Sequence, residues 1–226
     1  MKDIYQQETY KGFNINIERD PDAQSPRDWS TLGTMYTMHR NYQPEKNFYN
    51  HFEWEEVFDE HRELLDSFEK KYIALKFYLY DHSGQTVSTS PFSCGWDSGL
   101  FGIIAVDIER VREEYNWKHI TKKRREKIED ILRCEVEIYD QYITGDVYGY
   151  TISEVENEDN TLDDSCWGFF GDDGIEQIIE EAKGYIDQHV EDPKTIKRSE
   201  VIDKVKSFAK ELFNQNEVAV QLKFSY

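Results

Sequence analysis

The chain has 226 residues, of which 38% are hydrophobic and 15% aromatic, and this is enough to bury a sizeable core in one large domain or two small ones. Its 46 acidic and 27 basic residues give a formal net charge of −19, which disfavours direct binding to nucleic-acid phosphates or anionic membranes. No stretch approaches the roughly 18 apolar residues of a membrane span, and the N-terminus lacks a signal-peptide pattern, so we expect a cytoplasmic protein.

The first half of the chain predicts four strands and one long helix. Apolar and polar residues alternate in "GFNINIERD" (12–20), which indicates a half-buried strand, and "LGTMYTMHR" (32–40) predicts a second strand beside it in one antiparallel sheet. An apolar stripe at helical spacing predicts a helix over residues 52–72. Two apolar segments, 72–81 and 100–108, predict buried strands.

The second half predicts a helix, a hairpin and another helix. We expect a helix over 122–142 that stops at Thr144-Gly145, then a hairpin of "VYGYTISEV" (147–155) and "SCWGFFG" (165–171) with an acidic connecting loop. Asp173 is predicted to cap the following helix, with Glu176 in the capping-box position.

A final helix from Ser199 and a strand, "VAVQLKFSY" (218–226), are predicted to close the chain. This order of elements predicts an α+β fold on a largely antiparallel sheet of about six to eight strands with four or five helices. We assign residues 1–192 to a main domain. Residues 193–226 are assigned to a helix-strand extension that docks on the same sheet or serves oligomerisation.

The three cysteines, Cys94, Cys134 and Cys166, are odd in number and have no C-x-x-C spacing. This pattern argues against a disulfide framework and against a zinc finger. We therefore expect reduced thiols, no metal site and no cofactor.

Charge is distributed unevenly along the chain. Between Ser153 and Asp192, fourteen acidic residues accompany one lysine, Lys183, whereas bases crowd "KHITKKRREK" (118–127) at a helix start, where they oppose the helix dipole. We predict that the acidic stretch forms a protein-binding surface. Its predicted binding residues are Asp163, Asp164, Asp172, Asp173, Glu176, Glu180 and Glu181.

Two segments, "FSCGWDSG" (92–99) and "DDSCWGFFGDDG" (163–174), place Cys, Trp and acidic or hydroxyl side chains between glycines. An alternative hypothesis is therefore an enzyme or small-ligand-binding domain with a pocket around two Cys-Trp turns. The pocket residues would be His82, Cys94, Trp96, Asp97, Ser98, Asp140 and Trp167. A third hypothesis is a structural interaction module in which these turns only shape the fold.

No catalytic residue is assigned within that pocket. Ser98 lacks the G-x-S-x-G elbow of hydrolases, because Trp96 stands where the first glycine belongs. Cys94 would need a histidine nearby, and His82 is the nearest upstream. A buried thiol beside Trp96 is the simpler interpretation of Cys94.

Four longer segments carry a resemblance to a known family. They are "SPRDWSTLGTM" (25–35), "LYDHSGQTVSTSPFSCGWDSG" (79–99), "YDQYITGDVYGYTI" (139–152) and "DSCWGF" (164–169). They are similar to blocks that recur in this order in a family of uncharacterised proteins encoded by bacteriophages and other bacterial mobile elements. The family brings no established activity, cofactor or site residue.

The resemblance does imply a biological setting. Small acidic proteins of phages and plasmids are often accessory proteins that block host defence, some by imitating DNA phosphates with carboxylates. It implies, as an expectation, a non-enzymatic inhibitor in the host cell cytoplasm that binds a protein of a restriction, CRISPR or similar system through its acidic surface. Such an inhibitor could act as a homo-oligomer.

Overall fold

The computed structural model describes residues 4–157 and 160–191, where five α-helices and nine strands form an α+β fold. The strands are β1 (Ile4–Tyr10), β2 (Phe13–Arg19), β3 (Thr34–Thr37), β4 (Lys46–Asn47), β5 (Tyr72–Asp81), β6 (Gln85–Ser88), β7 (Ser98–Asp107), β8 (Val147–Glu154) and β9 (Thr161–Phe170). The helices are α1 (Trp54–Val57), α2 (Asp66–Glu69), α3 (Ile108–Tyr115), α4 (Lys122–Thr144) and α5 (Gly171–Glu191). The predicted fold class is confirmed. The predicted extension at 193–226 lies outside the described residues.

The described strands form two sheets. The first sheet has the order β1-β2-β8-β9 and is antiparallel, and the second has the order β4-β3-β7-β5-β6, with only the β3-β4 pair parallel. The prediction that β2 and β3 are neighbours is wrong, because β2 pairs with β8. Ile15 lies opposite Ile152 and Ile17 opposite Tyr150, so apolar side chains meet on one face.

The second sheet is buried on both faces. Ile104 and Val106 of β7 belong to the core under α4, whereas Ile103 and Ala105 belong to the core under the segment 48–69. Burial on both faces explains the unbroken apolar run that predicted this strand.

Helix α4 confirms the predicted long helix. It ends at Thr144, and the next residue, Gly145, has a φ of 72°, the left-handed conformation that glycine adopts at low cost after a helix. Its buried stripe of Ile128, Leu132 and Val136 packs on the second sheet. In the part of the chain described by the structure, no helix is both long and apolar enough to cross a membrane.

Helix α5 covers one face of the first sheet with an apolar stripe. The stripe residues Ile175, Ile178, Ala182 and Ile186 share a core with Ile15, Ile17, Tyr148, Tyr150, Ile152 and Phe169. The predicted Asp173 cap is wrong, since α5 begins at Gly171. Asp172 and Asp173 lie inside the first turn instead, where the helix dipole favours carboxylates.

The predicted helix over 52–72 is wrong. The segment contains only α1 and α2, separated by an irregular loop. Asp59 accepts hydrogen bonds from the backbone N–H groups of His61 and Glu63, both at 2.8 Å, and Arg62 has a φ of 63°. Such local side-chain bonds compete with helical ones, so the apolar spacing here reflects packing on a sheet rather than a helix face.

Candidate functional site

Two cavities share a wall made of Trp29, Trp167, Gly168 and Phe170. The first cavity, of about 550 Å³, is completed by Asp20, Pro21, Asp22 and Gln24. The second, of about 680 Å³, is completed by Cys134, Glu137, Ile138, Gln141, Cys166, Phe169, Asp173, Gly174, Gln177 and Glu181. We call the two cavities with their shared wall the tryptophan groove.

A buried arginine positions Trp29. A short 3₁₀ turn, Pro26–Asp28, precedes this tryptophan, and the Arg27 side chain in the turn is only 1% exposed. Arg27 Nη2 donates to Glu45 Oε2 at 2.6 Å and Nη1 donates to Glu135 Oε2 at 3.1 Å. Because Glu135 belongs to α4, this pair anchors the turn on that helix and places Trp29 edge-on against Phe170, with ring centroids 5.4 Å apart.

The carboxylates of this network also accept hydrogen bonds from the backbone. The backbone N–H of Met35 donates to Glu45 Oε2 at 2.7 Å, and that of Leu32 donates to Glu135 Oε1 at 2.7 Å. Arg27 also donates to the carbonyl of Gly33 at 2.7 Å. A buried charge is tolerated when it is paired and hydrogen-bonded, so the network supports the groove from within the fold.

The backbone of β9 positions Trp167. The register between β8 and β9 shifts beside Gly149, and Gly168 has a φ of 89°, so the strand bulges at this point. A Cβ atom at Gly149 would lie 2.7 Å from the Cys166 carbonyl oxygen and would collide with the Trp167 indole. Glycine at position 149 therefore makes the room in which the indole lies.

Both indoles of the groove remain open to solvent. Trp29 is 47% exposed and Trp167 is 41% exposed. Large aromatic side chains that stay exposed are typical anchors of binding surfaces, because a partner gains apolar contact area with little loss of side-chain entropy.

The groove is acidic on both sides of its aromatic wall. Asp20 and Asp22 line the first cavity, and Glu137, Asp173 and Glu181 line the second. Neither set of described lining residues contains a lysine or an arginine. The field inside the groove therefore favours a cation.

Most of the predicted acidic surface lies on the solvent side of α5. The exposed carboxylates, opposite the buried stripe, are Asp172, Asp173, Glu176, Glu180 and Glu181. Two of them, Asp173 and Glu181, also line the groove. We call these five residues the acidic face of α5, and it is continuous with the tryptophan groove.

The remaining two predicted acidic residues behave differently. Asp164 is half-buried and accepts a hydrogen bond from the Tyr150 hydroxyl at 3.1 Å. Burial first, and then this bond, raise the pKa of Tyr150, which favours the protonated hydroxyl that donates to Asp164. Asp164 is thus part of the fold. The side chain of Asp163 lies outside the described part of the structure.

Four residues of the alternative pocket gather beside the start of β7. Asp97 Oδ2 lies 3.4 Å from His82 Nδ1 and 3.8 Å from Cys94 Sγ, and the Ser98 hydroxyl donates to the carbonyl of Cys94. The carboxylate contacts both the imidazole and the thiol, and among the described residues no hydrogen bond joins His82 to Cys94 or Ser98. A nucleophile needs its base within hydrogen-bond reach, and here the group beside the Cys94 thiol is the Asp97 carboxylate rather than the imidazole.

Of the other three pocket residues, Trp96 lies beside this group, whereas Asp140 and Trp167 lie elsewhere. Trp96 is 97% exposed and borders a shallow cavity of about 370 Å³ together with Asp97 and Ser98. Asp140 accepts hydrogen bonds from the Thr86 hydroxyl and the Val87 N–H, both at 2.7 Å, and so ties α4 to β6.

The two Cys-Trp segments do not form one site. Trp167 lies in the tryptophan groove, whereas Trp96 borders a separate cavity beside β7. The second segment is also not a turn, since Cys166 and Trp167 belong to strand β9. The structure thus places the predicted pocket residues at three locations.

Sequence reasoning missed Trp29, Phe170, Asp20 and Asp22 as site residues. Trp29 carries a signal that could have been used, because it stands in a polar, turn-rich segment with no alternation to bury it. The two aspartates carried none, since Asp20 and Asp22 resemble ordinary turn residues. Indeed, Asp20 Oδ1 accepts from the Asp22 N–H at 3.0 Å.

Within residues 4–157 and 160–191, no three His, Cys, Asp or Glu side chains gather in a metal-binding arrangement. Comparison of the chain with protein-family models, curated proteins and solved structures gave no match. Function is therefore argued from the tryptophan groove and the acidic face of α5.

Proposed function

We propose that this protein is a phage or mobile-element accessory protein that inhibits a bacterial anti-phage defence system. It binds a defence protein through its acidic surface and uses neither catalysis nor a cofactor. The observation that carries the proposal is the continuity of the acidic face of α5 with a groove whose indoles are exposed and whose charged lining residues are all carboxylates.

The charge arrangement suits a partner with a basic surface. The formal net charge of −19 acts at long range, and the exposed carboxylates act at contact, so a basic groove of a nucleic-acid-handling enzyme is attracted and oriented. A row of carboxylates on one helix face can take the place of DNA phosphates in such a groove. Nucleic acid itself is repelled by the same charges.

The resemblance supports the same class of partner. Three of its four segments contribute to the tryptophan groove, through Trp29, Gln141 and Trp167. The fourth segment, 79–99, lies at the separate cavity beside β7.

The proposal is tested by phage plating on bacteria that carry a restriction or CRISPR system and express the protein. We expect the wild-type protein to raise the efficiency of plating of a phage that the system blocks. The double substitution Glu180→Lys and Glu181→Lys should abolish this rise, because it reverses two of the five charges of the acidic face.

The matched control is Glu113→Lys with Glu114→Lys, a pair of adjacent exposed glutamates on α3. It changes net charge by the same amount and should leave protection intact. An equal loss of protection in both double variants would show that only total charge matters. If the wild-type protein relieves none of the restriction and CRISPR systems tested, the proposal is overturned. Cys94→Ala should protect like wild type, and its failure to do so in a folded protein would favour the enzyme hypothesis.

A further inference from the structure

The tryptophan groove has the dimensions and chemistry of a side-chain binding site. Its cavities, of about 550 and 680 Å³, fall in the range of about 300 to 1,000 Å³ that holds small ligands or anchoring side chains. The exposed indoles of Trp29 and Trp167 offer aromatic surface at the wall that the two cavities share.

The carboxylates determine the charge of what binds there. A ligand in the first cavity meets Asp20 and Asp22, and one in the second meets Glu137, Asp173 and Glu181. No described lining residue offers a positive charge to an anionic ligand. An uncharged apolar ligand would desolvate these carboxylates without pairing them, which costs free energy.

We propose that the groove binds an arginine side chain of the partner protein against Trp29 and Trp167, with its guanidinium paired to the carboxylates of the lining. The inference rests on the proposed protein-binding function and adds the chemistry of the contact. Arginine fits better than lysine, because a planar guanidinium stacks on an indole and also donates in a fork to a carboxylate. Arginine and tryptophan are also the residue types that dominate protein interfaces energetically.

The wall is rigid enough to receive such a side chain. Trp29 is fixed by the Arg27 network and by the edge-on contact with Phe170, while Trp167 lies in the room left by Gly149. A wall that is already ordered before binding loses little conformational entropy on binding.

The test uses the full chain labelled with ¹⁵N and follows its five tryptophan indole N–H signals by NMR during peptide titration. The probes are acetyl-Gly-Arg-Gly-Arg-Gly-amide and its lysine and citrulline counterparts. The arginine peptide should shift the Trp29 and Trp167 signals and leave the Trp96 signal in place. The lysine peptide should bind several-fold more weakly, and the neutral citrulline peptide should cause no shift.

Trp96→Ala is the control variant, since this indole is exposed but lies outside the groove. It should bind the arginine peptide as wild type does, whereas Trp29→Ala and Trp167→Ala should lose binding. Two results with the wild-type protein would overturn the inference. One is that the citrulline peptide shifts the Trp29 and Trp167 signals as much as the arginine peptide does, and the other is that the arginine peptide shifts neither signal.

The two proposals fail separately. The first case is that Glu180→Lys with Glu181→Lys abolishes protection, but the arginine peptide shifts neither the Trp29 nor the Trp167 signal. The proposed function then stands and the arginine site is wrong. If arginine shifts both indoles selectively but no defence system is relieved, the site stands and the proposed function is wrong.

Discussion

At the scale of single residues, the buried Arg27 supports the turn that carries Trp29 of the candidate site. It is the only charged side chain among the buried polar residues that the structure describes, and it joins the turn before Trp29 to Glu45 and to Glu135 of α4. The sequence shows Arg27 as one more charge in a polar loop. Its burial depends on two carboxylates 18 and 108 positions away, which no local pattern connects to it.

Replacing Arg27 by alanine should lower the free energy of unfolding by about 3 to 5 kcal/mol, because it leaves two largely buried carboxylates unpaired. Urea denaturation measures the change. The surface pair of Arg133 and Asp130 provides the control, since Arg133→Ala should cost less than about 1 kcal/mol. Similar costs for the two arginines would contradict the structural role given to Arg27.

At the scale of elements, the basic start of α4 has a tertiary explanation. Its positive charges oppose the helix dipole, yet Arg125 donates to the backbone carbonyls of Glu69 at 2.6 Å and Tyr72 at 3.3 Å. Arg124 lies over the Trp117 ring at 4.7 Å. These bases therefore connect α4 to the end of α2, the start of β5 and the loop after α3.

Arg125→Gln should destabilise the protein by about 1 to 3 kcal/mol, the usual cost of losing hydrogen bonds from a charged donor. Lys123→Gln, an exposed neighbour on the same turn, removes the same charge and should have little effect. Thermal denaturation compares the two. If Lys123→Gln lowered the stability more than Arg125→Gln does, the charge itself, rather than the tertiary contact, would stabilise the helix start.

Elements with a strong period of their own could be predicted, and those shaped by distant partners could not. Strand β2 and helices α4 and α5 follow their apolar periods, and strands β5 and β7 follow continuous apolar runs. The segment 52–72 has a helical period because its aromatic residues pack on a sheet, and the chain between them bends at Asp59. The groove likewise depends on residues from separate elements. The sequence therefore indicated Trp167 and the carboxylates of α5, but not Trp29 or Phe170 beside them.

At the scale of the whole molecule, buried tyrosines make the free energy of unfolding fall as pH rises through the alkaline range. Burial raises the pKa of Tyr139 to about 12, above the value of about 10 for an unfolded chain. The protonated phenol is thus favoured by folding. Its contribution is fully present below pH 10 and is lost as pH rises from about 10 to 12.

Tyr139→Phe should therefore lose less unfolding free energy than wild type between pH 10 and pH 12, by an amount on the order of 2 kcal/mol. The described residues provide no hydrogen bond to this hydroxyl, so phenylalanine keeps the packing. Denaturant titrations across this pH range measure the difference. Parallel curves for the two proteins would show that the phenol does not titrate with folding.

The most direct test of the central claim is isothermal titration calorimetry with the purified defence protein whose inhibition the plating assay reveals. The wild-type protein and the Glu113→Lys, Glu114→Lys control should bind it with similar affinity, and both should bind more weakly as salt rises. Glu180→Lys with Glu181→Lys should raise the Kd by at least about tenfold, or 1.4 kcal/mol. An unchanged Kd for that variant would contradict binding through the acidic face of α5.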